Sequence, residues 1–190
     1  MNAQIATLAI GLALSQGAKR LNLDRPEVLW PIRFLYIGVQ VGIFALYMFI
    51  AQRIRKKNDN TLLKYVEQKP FSGQTGEPPM VVTTTVRNYD LLEVSKAIRG
   101  LATGIAMTGF MHLYLKFTQP LLVSSLTVWI SLYRAQIVRL HLRNQEGQED
   151  LKRPFRAGPG WMSSGSGPST DKVSIEAAEK ANLLYRAPET

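Results

Sequence analysis

The feature that most constrains the fold is the apolar stretch Val28–Ala51, which is 24 residues long. About 20 apolar residues suffice to cross the hydrocarbon core of a bilayer. The clear polar breaks in this stretch are Arg33 and Gln40, and it is followed by the basic run Arg53–Lys57. The stretch therefore predicts a transmembrane helix, and the positive-inside rule predicts that its basic end is cytosolic.

Charge is unevenly distributed along the 190 residues, although the net charge is +9. Residues 1–50 and 100–133 together contain only five of the 23 Lys/Arg and two of the 14 Asp/Glu. This segregation argues against a single soluble core and favours a chain divided between lipid and water. The positive balance favours an acidic partner, either anionic lipid or RNA.

The first apolar segment, residues 3–18, predicts a short transmembrane helix that is retained. A signal peptide is disfavoured because no basic residue precedes the apolar run, whereas Lys19 and Arg20 follow it. A re-entrant or interfacial segment is the alternative. If this segment and Val28–Ala51 form a hairpin, the basic residues between them and the run Arg53–Lys57 cannot both be cytosolic. The run Arg53–Lys57 is the stronger of the two cytosolic signals.

The polar region 52–97 predicts a cytosolic basic loop and the start of a helix. Its centre, PFSGQTGEPP (70–79), indicates a loop. The next residues, MVVTTTVRNY (80–89), are rich in β-branched side chains and predict an extended chain.

A long helix is predicted from Asp90 to about Phe117. Asp90 and Glu93 have the spacing of a capping box, which is typical of a helix N-terminus. The first turns are charged, whereas 101–115 is apolar. The pattern therefore predicts a helix that passes from water into lipid.

The C-terminal third begins with a helix break at Thr118-Gln119-Pro120. The next apolar block, 121–133, has 13 residues, a length more typical of an interfacial or re-entrant helix than of a span. Residues 158–169 are rich in Gly and Ser and predict a flexible linker. A final helix is predicted at about 172–186, begun by Thr170 or Asp171.

These patterns together predict an all-α integral membrane protein. It would have about three transmembrane helices, a short re-entrant or interfacial helix, and a cytosolic loop and tail. The predicted regions are the first two membrane helices (1–51), the basic loop and helix (52–97), the third membrane helix with the short helix (98–143), and the flexible tail with its terminal helix (144–190).

Polar residues inside the predicted membrane segments are candidates for function, because an ionisable group in lipid is costly. Arg33 and Gln40 are seven residues apart and share a helix face. Thr108, His112 and Lys116 recur at steps of four. These five residues predict a polar membrane groove, and the alternatives are side chains that extend to the headgroups or a simple packing face.

Two glycine pairs have the small-residue spacing that lets membrane helices approach closely. The predicted helix-packing residues are Gly38 and Gly42, and Gly100 and Gly104. The basic residues predict contacts with anionic lipid or with RNA, and composition does not choose between the two. These residues are Arg53, Arg55, Lys56, Lys57, Lys152, Arg153 and Arg156.

Enzyme chemistry finds little support in the sequence. The chain has no cysteine and only two histidines, His112 and His141. It contains no phosphate-binding loop, no nucleophile elbow and no zinc-protease motif. We therefore predict a protein that is not an enzyme and that uses no cofactor or metal.

Several strings of the sequence are specific in combination. They are KNDNTLLKYVE (57–67), VTTTVRNYDLLEV (82–94), GFMHLYLKF (109–117), DLKRPF (150–155) and PSTDKVSIEAAEKA (168–181). Through these strings the sequence resembles a small eukaryotic family of endoplasmic-reticulum membrane proteins, and the resemblance extends from the first membrane segment to the last helix. The family was first named for inorganic phosphate transport and later recognised as the third component of the SRP-independent (SND) targeting pathway.

The resemblance implies residence in the endoplasmic reticulum membrane and a role in delivering or inserting client membrane proteins. It implies the Sec translocon, the ribosome with its RNA, other SND components and client proteins as partners, beside the anionic lipids that the charge favours. The older family name implies phosphate transport as an alternative. The residues support that poorly, because a phosphate path would need several convergent cations and the main candidates are Arg33 and Lys116. A structural adaptor that holds a ribosome or translocon is a third hypothesis.

Overall fold

The computed structural model describes residues 9, 12–13, 16–17, 23, 25–67, 79–143, 145, 151–155 and 168–186. Most of the predicted membrane segment 3–18 and most of the predicted linker 158–169 lie outside these residues. The chain divides into two compact units. The first unit comprises 1–56 and 91–144, and the second comprises 57–90 and 145–190.

The first unit is helical in its described part. Helix α1 is Pro26–Lys57, helix α2 is Val86–Leu113, helix α3 is Gln119–Arg134 and helix α4 is Gln136–His141. The division between the units falls inside α2, after Asp90. Among the described residues, α1 is the one helix that is long and apolar enough to cross a membrane.

Helix α1 buries one face. Its buried positions recur at steps of three and four, the periodicity of a single helix stripe. Apolar residues also cover the opposite face, where Phe34 and Val41 are exposed over 68% and 61% of their surface. An apolar outer face is what a helix surrounded by lipid requires. The buried positions are Ile32, Tyr36, Gln40, Ile43, Tyr47, Ile50, Ala51 and Ile54.

Helix α2 begins four residues before the predicted start. Thr85 caps it, because the Asn88 amide donates to the Thr85 hydroxyl over 3.3 Å. The amides of Val86 and Arg87 donate to the carbonyls of Thr61 and Asp59. Three of the first backbone donors are thereby satisfied, as a helix N-terminus needs.

The capping box predicted at Asp90 and Glu93 does not form. Asp90 lies inside the helix, where it is almost fully buried, and Glu93 instead pairs with Lys96 at 2.9 Å. The prediction failed because the spacing of a capping box is also the spacing of neighbours on one face inside a helix.

Helix α2 ends at Leu113, four residues earlier than predicted. The chain then turns through Lys116, whose φ of 59° lies in the left-handed region, and the Phe117 amide donates to the Met111 carbonyl. The predicted break at Thr118-Gln119-Pro120 is confirmed. Pro120 stands in the first turn of α3, where its missing N–H costs no helix hydrogen bond.

The second unit contains an antiparallel pair of strands, β1 (Leu62–Glu67) and β2 (Met80–Thr85), with Leu62 opposite Thr85 and Glu67 opposite Met80. Helix α5 (Lys172–Arg186) packs against both strands and matches the predicted terminal helix. The all-α prediction is therefore wrong in this unit, although the described residues are mostly helical. Six-residue strands rich in β-branched side chains suit a sheet covered by a helix.

The turn before β1 is ordered by one carboxylate. Asp59 accepts hydrogen bonds from the Thr61 hydroxyl at 2.6 Å and the Thr61 amide at 3.1 Å. These two bonds hold the pKa of Asp59 below the ordinary value of an aspartate, because they favour the charged form.

Two described parts of the predicted flexible tail are fixed to the rest of the second unit. Arg153 forms a bidentate ion pair with Asp90, and both nitrogen–oxygen distances are 2.7 Å. The Phe155 amide donates to the Tyr89 hydroxyl at 2.7 Å. Ser169 bridges to Val66 of strand β1. The tail residues 151–155 and 168–186 are thus parts of a folded unit, because they bond to or pack against residues of 57–90.

Candidate membrane groove

Arg33 and His112 join helices α1 and α2. The Arg33 Nε donates to the His112 Nε2 over 3.0 Å, and the His112 Nδ1 lies 3.1 Å from the Phe117 carbonyl. An arginine nitrogen can only donate, so the His112 Nε2 accepts and its Nδ1 carries the proton that the carbonyl accepts. The neutral imidazole thereby links α1 to the turn that follows α2.

A cavity of about 300 Å³ lies beside this contact, and we call it the arginine cavity. The Arg33 guanidinium lies 5.1 Å from the centre of the Trp30 ring, in the range of a cation–π contact. Apart from Arg33, His112, Thr108 and the Tyr36 hydroxyl, the walls are apolar. The lining residues are Trp30, Arg33, Phe34, Tyr36, Ile37, Thr108, Gly109, His112, Leu113 and Leu121.

A second cavity of about 280 Å³ is formed by helices α1, α2 and α3, and we call it the glutamine cavity. Thr108 borders both cavities. Gln40 is 7% exposed, and its Oε1 has no hydrogen-bond partner among the described residues. The lining residues are Gln40, Ile43, Tyr47, Ala97, Gly100, Leu101, Gly104, Ile105, Thr108, Ser124, Val128, Ser131 and Leu132.

The predicted glycine pairs do not form close helix contacts among the described residues. A Cβ atom built at Gly38, Gly42, Gly100 or Gly104 would meet no atom within 4 Å. Gly100 and Gly104 border the glutamine cavity, whereas Gly38 and Gly42 border neither cavity. Small-residue spacing permits close approach but does not enforce it, and on α2 it leaves open space instead.

The hydroxyl groups of α3 are satisfied within their own helix. Ser124 donates to the Pro120 carbonyl at 2.6 Å, and Ser131 donates to the Thr127 carbonyl at 3.1 Å. Ser125 and Thr127 make the same bond four residues back. This pattern lets a hydroxyl stay in an apolar environment without a partner on another helix.

The structure brings together four of the five predicted groove residues. Arg33 and His112 are bonded, Thr108 lies at both cavities, and Gln40 lines the glutamine cavity. Lys116 is exposed in the turn after α2 and lines neither cavity. The described part of the chain contains no group of three or more His, Asp or Glu side chains that could hold a metal ion.

The predicted basic contacts differ in how their charges are placed. Arg53 donates to the His141 carbonyl at 2.9 Å and lies 5.7 Å from the Phe49 ring centre. Arg55, Lys56, Lys57 and Lys152 are exposed. Arg153 is paired with Asp90, so this guanidinium is used inside the second unit. Arg156 lies outside the described residues, and contact with lipid or RNA stays a prediction for the whole set.

Comparison with known proteins assigns the chain to a family. A family model described as "Phosphate transport (Pho88)" matches residues 1–183, which is nearly the whole sequence. The chain belongs to the Pho88 family.

Two relatives in this family share most of their length with the chain. The "SRP-independent targeting protein 3" of Saccharomyces cerevisiae is 42% identical over 183 residues, covering 95% of this chain and 96% of that protein. The "SRP-independent targeting protein 3 homolog" of Schizosaccharomyces pombe is 36% identical over 183 residues, covering 96% and 93%. No solved structure matches the chain.

Several residues of this Pho88 family member that shape the cavities were not predicted as site residues. Tyr36 is 8% exposed, and its buried hydroxyl has no partner among the described residues. Ser124 and Ser131 line the glutamine cavity, and their spacing of seven places them on one helix face. That spacing was available in the sequence, because 121–133 is predicted to be a short helix.

Proposed function

We propose that this chain serves in SRP-independent targeting at the endoplasmic reticulum membrane, as a non-enzymatic factor that admits client membrane proteins to the bilayer. The names of the two relatives support the targeting role. The observation that supports the membrane step is the glutamine cavity. Hydrogen-bonding side chains from three helices line an otherwise apolar space, in a unit that carries a candidate membrane span.

The chemistry of this cavity suits the polar flank of a client. A charged side chain at the centre of a membrane helix costs about 3 kcal/mol on insertion scales, and hydrogen bonding lowers such a cost. The Gln40 Oε1 is an acceptor without a partner among the described residues. The oxygens of Ser124 and Ser131 keep acceptor lone pairs after donating to their own helix.

Helix length supports the same proposal. Helix α3 has 16 residues, so it is about 24 Å long, less than the ~30 Å of the hydrocarbon core. A short helix in the bilayer locally thins it, which shortens the path that a polar segment must cross. We propose three spans, made by 3–18, α1 and α2, with α3 as the short fourth helix.

We propose that the Sec translocon and the ribosome are the partners of this activity. The exposed side chains of Arg55, Lys56 and Lys57 at the end of α1 favour a cytosolic location for that helix end. The loop and the tail would then face the compartment in which clients arrive. Lys152 in the tail is also exposed.

The decisive experiment fills the glutamine cavity without removing a polar group. Gly104→Leu adds a side chain to its wall, where a Cβ meets no atom within 4 Å. Gly42→Leu is the matched control, because Gly42 has the same free space and lines neither cavity. In proteoliposomes with the full chain and a dependent client, we expect insertion to fall to the level of empty vesicles for Gly104→Leu only. Equal insertion by both variants would contradict the proposal.

Phosphate transport is the second candidate, because the family description names it. Among the described residues, no lysine or arginine lines the glutamine cavity, and Arg33 is the one cationic side chain that lines the arginine cavity. A phosphate path needs convergent cations or helix N-termini. Saturable uptake of labelled phosphate by the same proteoliposomes would favour the transporter over the insertion factor.

A further inference from the structure

The arginine cavity contains a cation without a counter-charge among the described residues. An arginine side chain stays ionised in proteins, and the contacts of Arg33 in the described part of the chain are the His112 Nε2 and the Trp30 ring. The imidazole accepts from Arg33 as a neutral group, so it cannot balance the charge. No described carboxylate pairs with Arg33. A charge in an apolar surrounding is normally paired, because an unpaired one costs several kcal/mol.

The remaining walls of this cavity favour alkyl groups. Phe34, Ile37, Leu113 and Leu121 contribute apolar side chains, and Gly109 leaves space because a Cβ there meets no atom within 4 Å. A volume of about 300 Å³ is at the lower end of ligand pockets. A ligand that matches both features carries an anion at one end and a hydrocarbon chain at the other.

The depth of Arg33 along helix α1 agrees with a lipid. Arg33 lies about 8 Å along the helix axis from Val28, the first residue of the apolar run. This places the guanidinium near one edge of a ~30 Å hydrocarbon layer, where phospholipid headgroups lie. The neighbouring Trp30 is also typical of the headgroup level.

We propose that the arginine cavity binds one anionic phospholipid. The phosphate accepts hydrogen bonds from the free nitrogens of the Arg33 guanidinium, and the first methylene groups of an acyl chain lie along the apolar wall. Inorganic phosphate would neutralise Arg33 but leave that wall uncovered. A neutral lipid would fill the wall and leave the charge unbalanced. The proposal is independent of the proposed insertion function, because it concerns a different cavity.

The test uses the full chain in nanodiscs of phosphatidylcholine with a minor share of phosphatidylserine, and native mass spectrometry counts the retained lipid. We expect wild-type protein to retain phosphatidylserine in preference to phosphatidylcholine. Arg33→Gln should reduce that retention about tenfold, equivalent to the loss of roughly 1.4 kcal/mol. Arg99→Gln is the matched control, because Arg99 is exposed on helix α2 and lines neither cavity.

A second variant keeps the cation and removes the space. Gly109→Leu should displace the lipid while leaving Arg33 unchanged, whereas Gly42→Leu should retain it. Circular dichroism of each variant checks that the helices are intact. Equal retention by wild type, Arg33→Gln and Gly109→Leu would overturn the proposal. It would also be overturned if millimolar inorganic phosphate displaced the lipid, or if an apolar peptide bearing one glutamate bound at Arg33 and phosphatidylserine did not.

The insertion assay separates this proposal from the proposed function. Gly104→Leu should abolish insertion and leave lipid retention unchanged, because it fills only the glutamine cavity. Loss of lipid from Gly104→Leu as large as that from Gly109→Leu would contradict a separate lipid site.

Discussion

Helix α3 of the first unit and the residues Tyr89 and Asp90 of the second unit satisfy their polar groups in opposite ways. In the first unit the hydroxyls of α3 bond to carbonyls of their own helix, and the Tyr36 hydroxyl and Gln40 Oε1 are buried without a partner among the described residues. In the second unit Asp90 and Tyr89 are bonded to residues that lie more than 60 positions away in the chain. The hydroxyls of α3 thus rely on local bonds, whereas Asp90 and Tyr89 rely on distant ones.

This difference separates the bonds that stabilise the fold from the surfaces that are available to a ligand. Local bonds let a helix keep its hydroxyls in lipid and leave the surfaces between helices open to a ligand. Distant bonds make the fold of the second unit depend on its tail, because Arg153 and Phe155 supply the partners. We therefore expect substitutions at the distant bonds of the second unit to change the free energy of unfolding, and substitutions at the cavities of the first unit mainly to change binding.

The largest expected effect follows the loss of the buried ion pair. Arg153→Met leaves the Asp90 carboxylate, whose side chain is 2% exposed, without its guanidinium partner. Breaking a buried pair in this way costs about 3 kcal/mol. Hydrogen exchange of the β1 and β2 amides in the full chain measures the change in opening free energy.

The control for that variant is an exposed ion pair in the same unit. Lys64 and Glu179 pair with side chains 44% and 45% exposed. Lys64→Met should cost less than about 1 kcal/mol, since water already solvates both groups. Equal costs for the two variants would show that burial does not distinguish the pairs.

A smaller effect is expected when Tyr89 loses only its hydroxyl. The Tyr89 ring packs edge-on against Tyr65 and Phe155, with ring centres 5.7 and 5.6 Å apart. Tyr89→Phe keeps both ring contacts but leaves the buried Phe155 amide without its acceptor. We expect a loss of about 1–2 kcal/mol, concentrated at that amide. Unchanged exchange at Phe155 would mean that another acceptor replaces the hydroxyl.

The same comparison explains what the sequence could predict. Helix α1 was predicted from the length of its apolar stretch, and the terminal helix was predicted from its local start signals. Both helices form in the predicted regions. The pairing of Arg153 with Asp90 could not be predicted, because an arginine in a basic tail has the same local pattern whether it binds RNA or a distant carboxylate. The sheet was missed for a similar reason, since residues 68–79 separate β1 from β2 in the sequence.

The groove was partly predictable, and the arrangement of its parts was not. Helical spacing identified Arg33, Gln40, Thr108 and His112, because each helix repeats its faces regularly. The bond between Arg33 and His112 depends on how two helices meet, and spacing within one helix contains no such information. The open space at Gly100 and Gly104 is likewise a property of the neighbouring helices.

Gly104→Ala tests the same comparison in the first unit. Alanine is about 1 kcal/mol more favourable than glycine inside a helix, and the new Cβ meets no atom within 4 Å. We expect unfolding in detergent to require up to about 1 kcal/mol more free energy than for wild type, with Gly42→Ala giving a similar gain. A loss of stability for Gly104→Ala alone would indicate a tight helix contact at that position.

The smallest expected effect is a pH dependence in the turn before β1. The Thr61 hydrogen bonds lower the pKa of Asp59, so its charged form stabilises the folded state. That contribution is present above the ordinary pKa of an aspartate and is lost as pH falls through the lowered pKa, which places the loss below about pH 4. Thr61→Val removes the hydroxyl and should raise the Asp59 pKa toward its ordinary value. Because the carboxylate is well solvated, the change in stability should stay below about 0.5 kcal/mol. An NMR titration of the Asp59 carboxyl carbon measures the pKa directly, and an identical titration in the variant would assign the shift to the Thr61 amide instead of its hydroxyl.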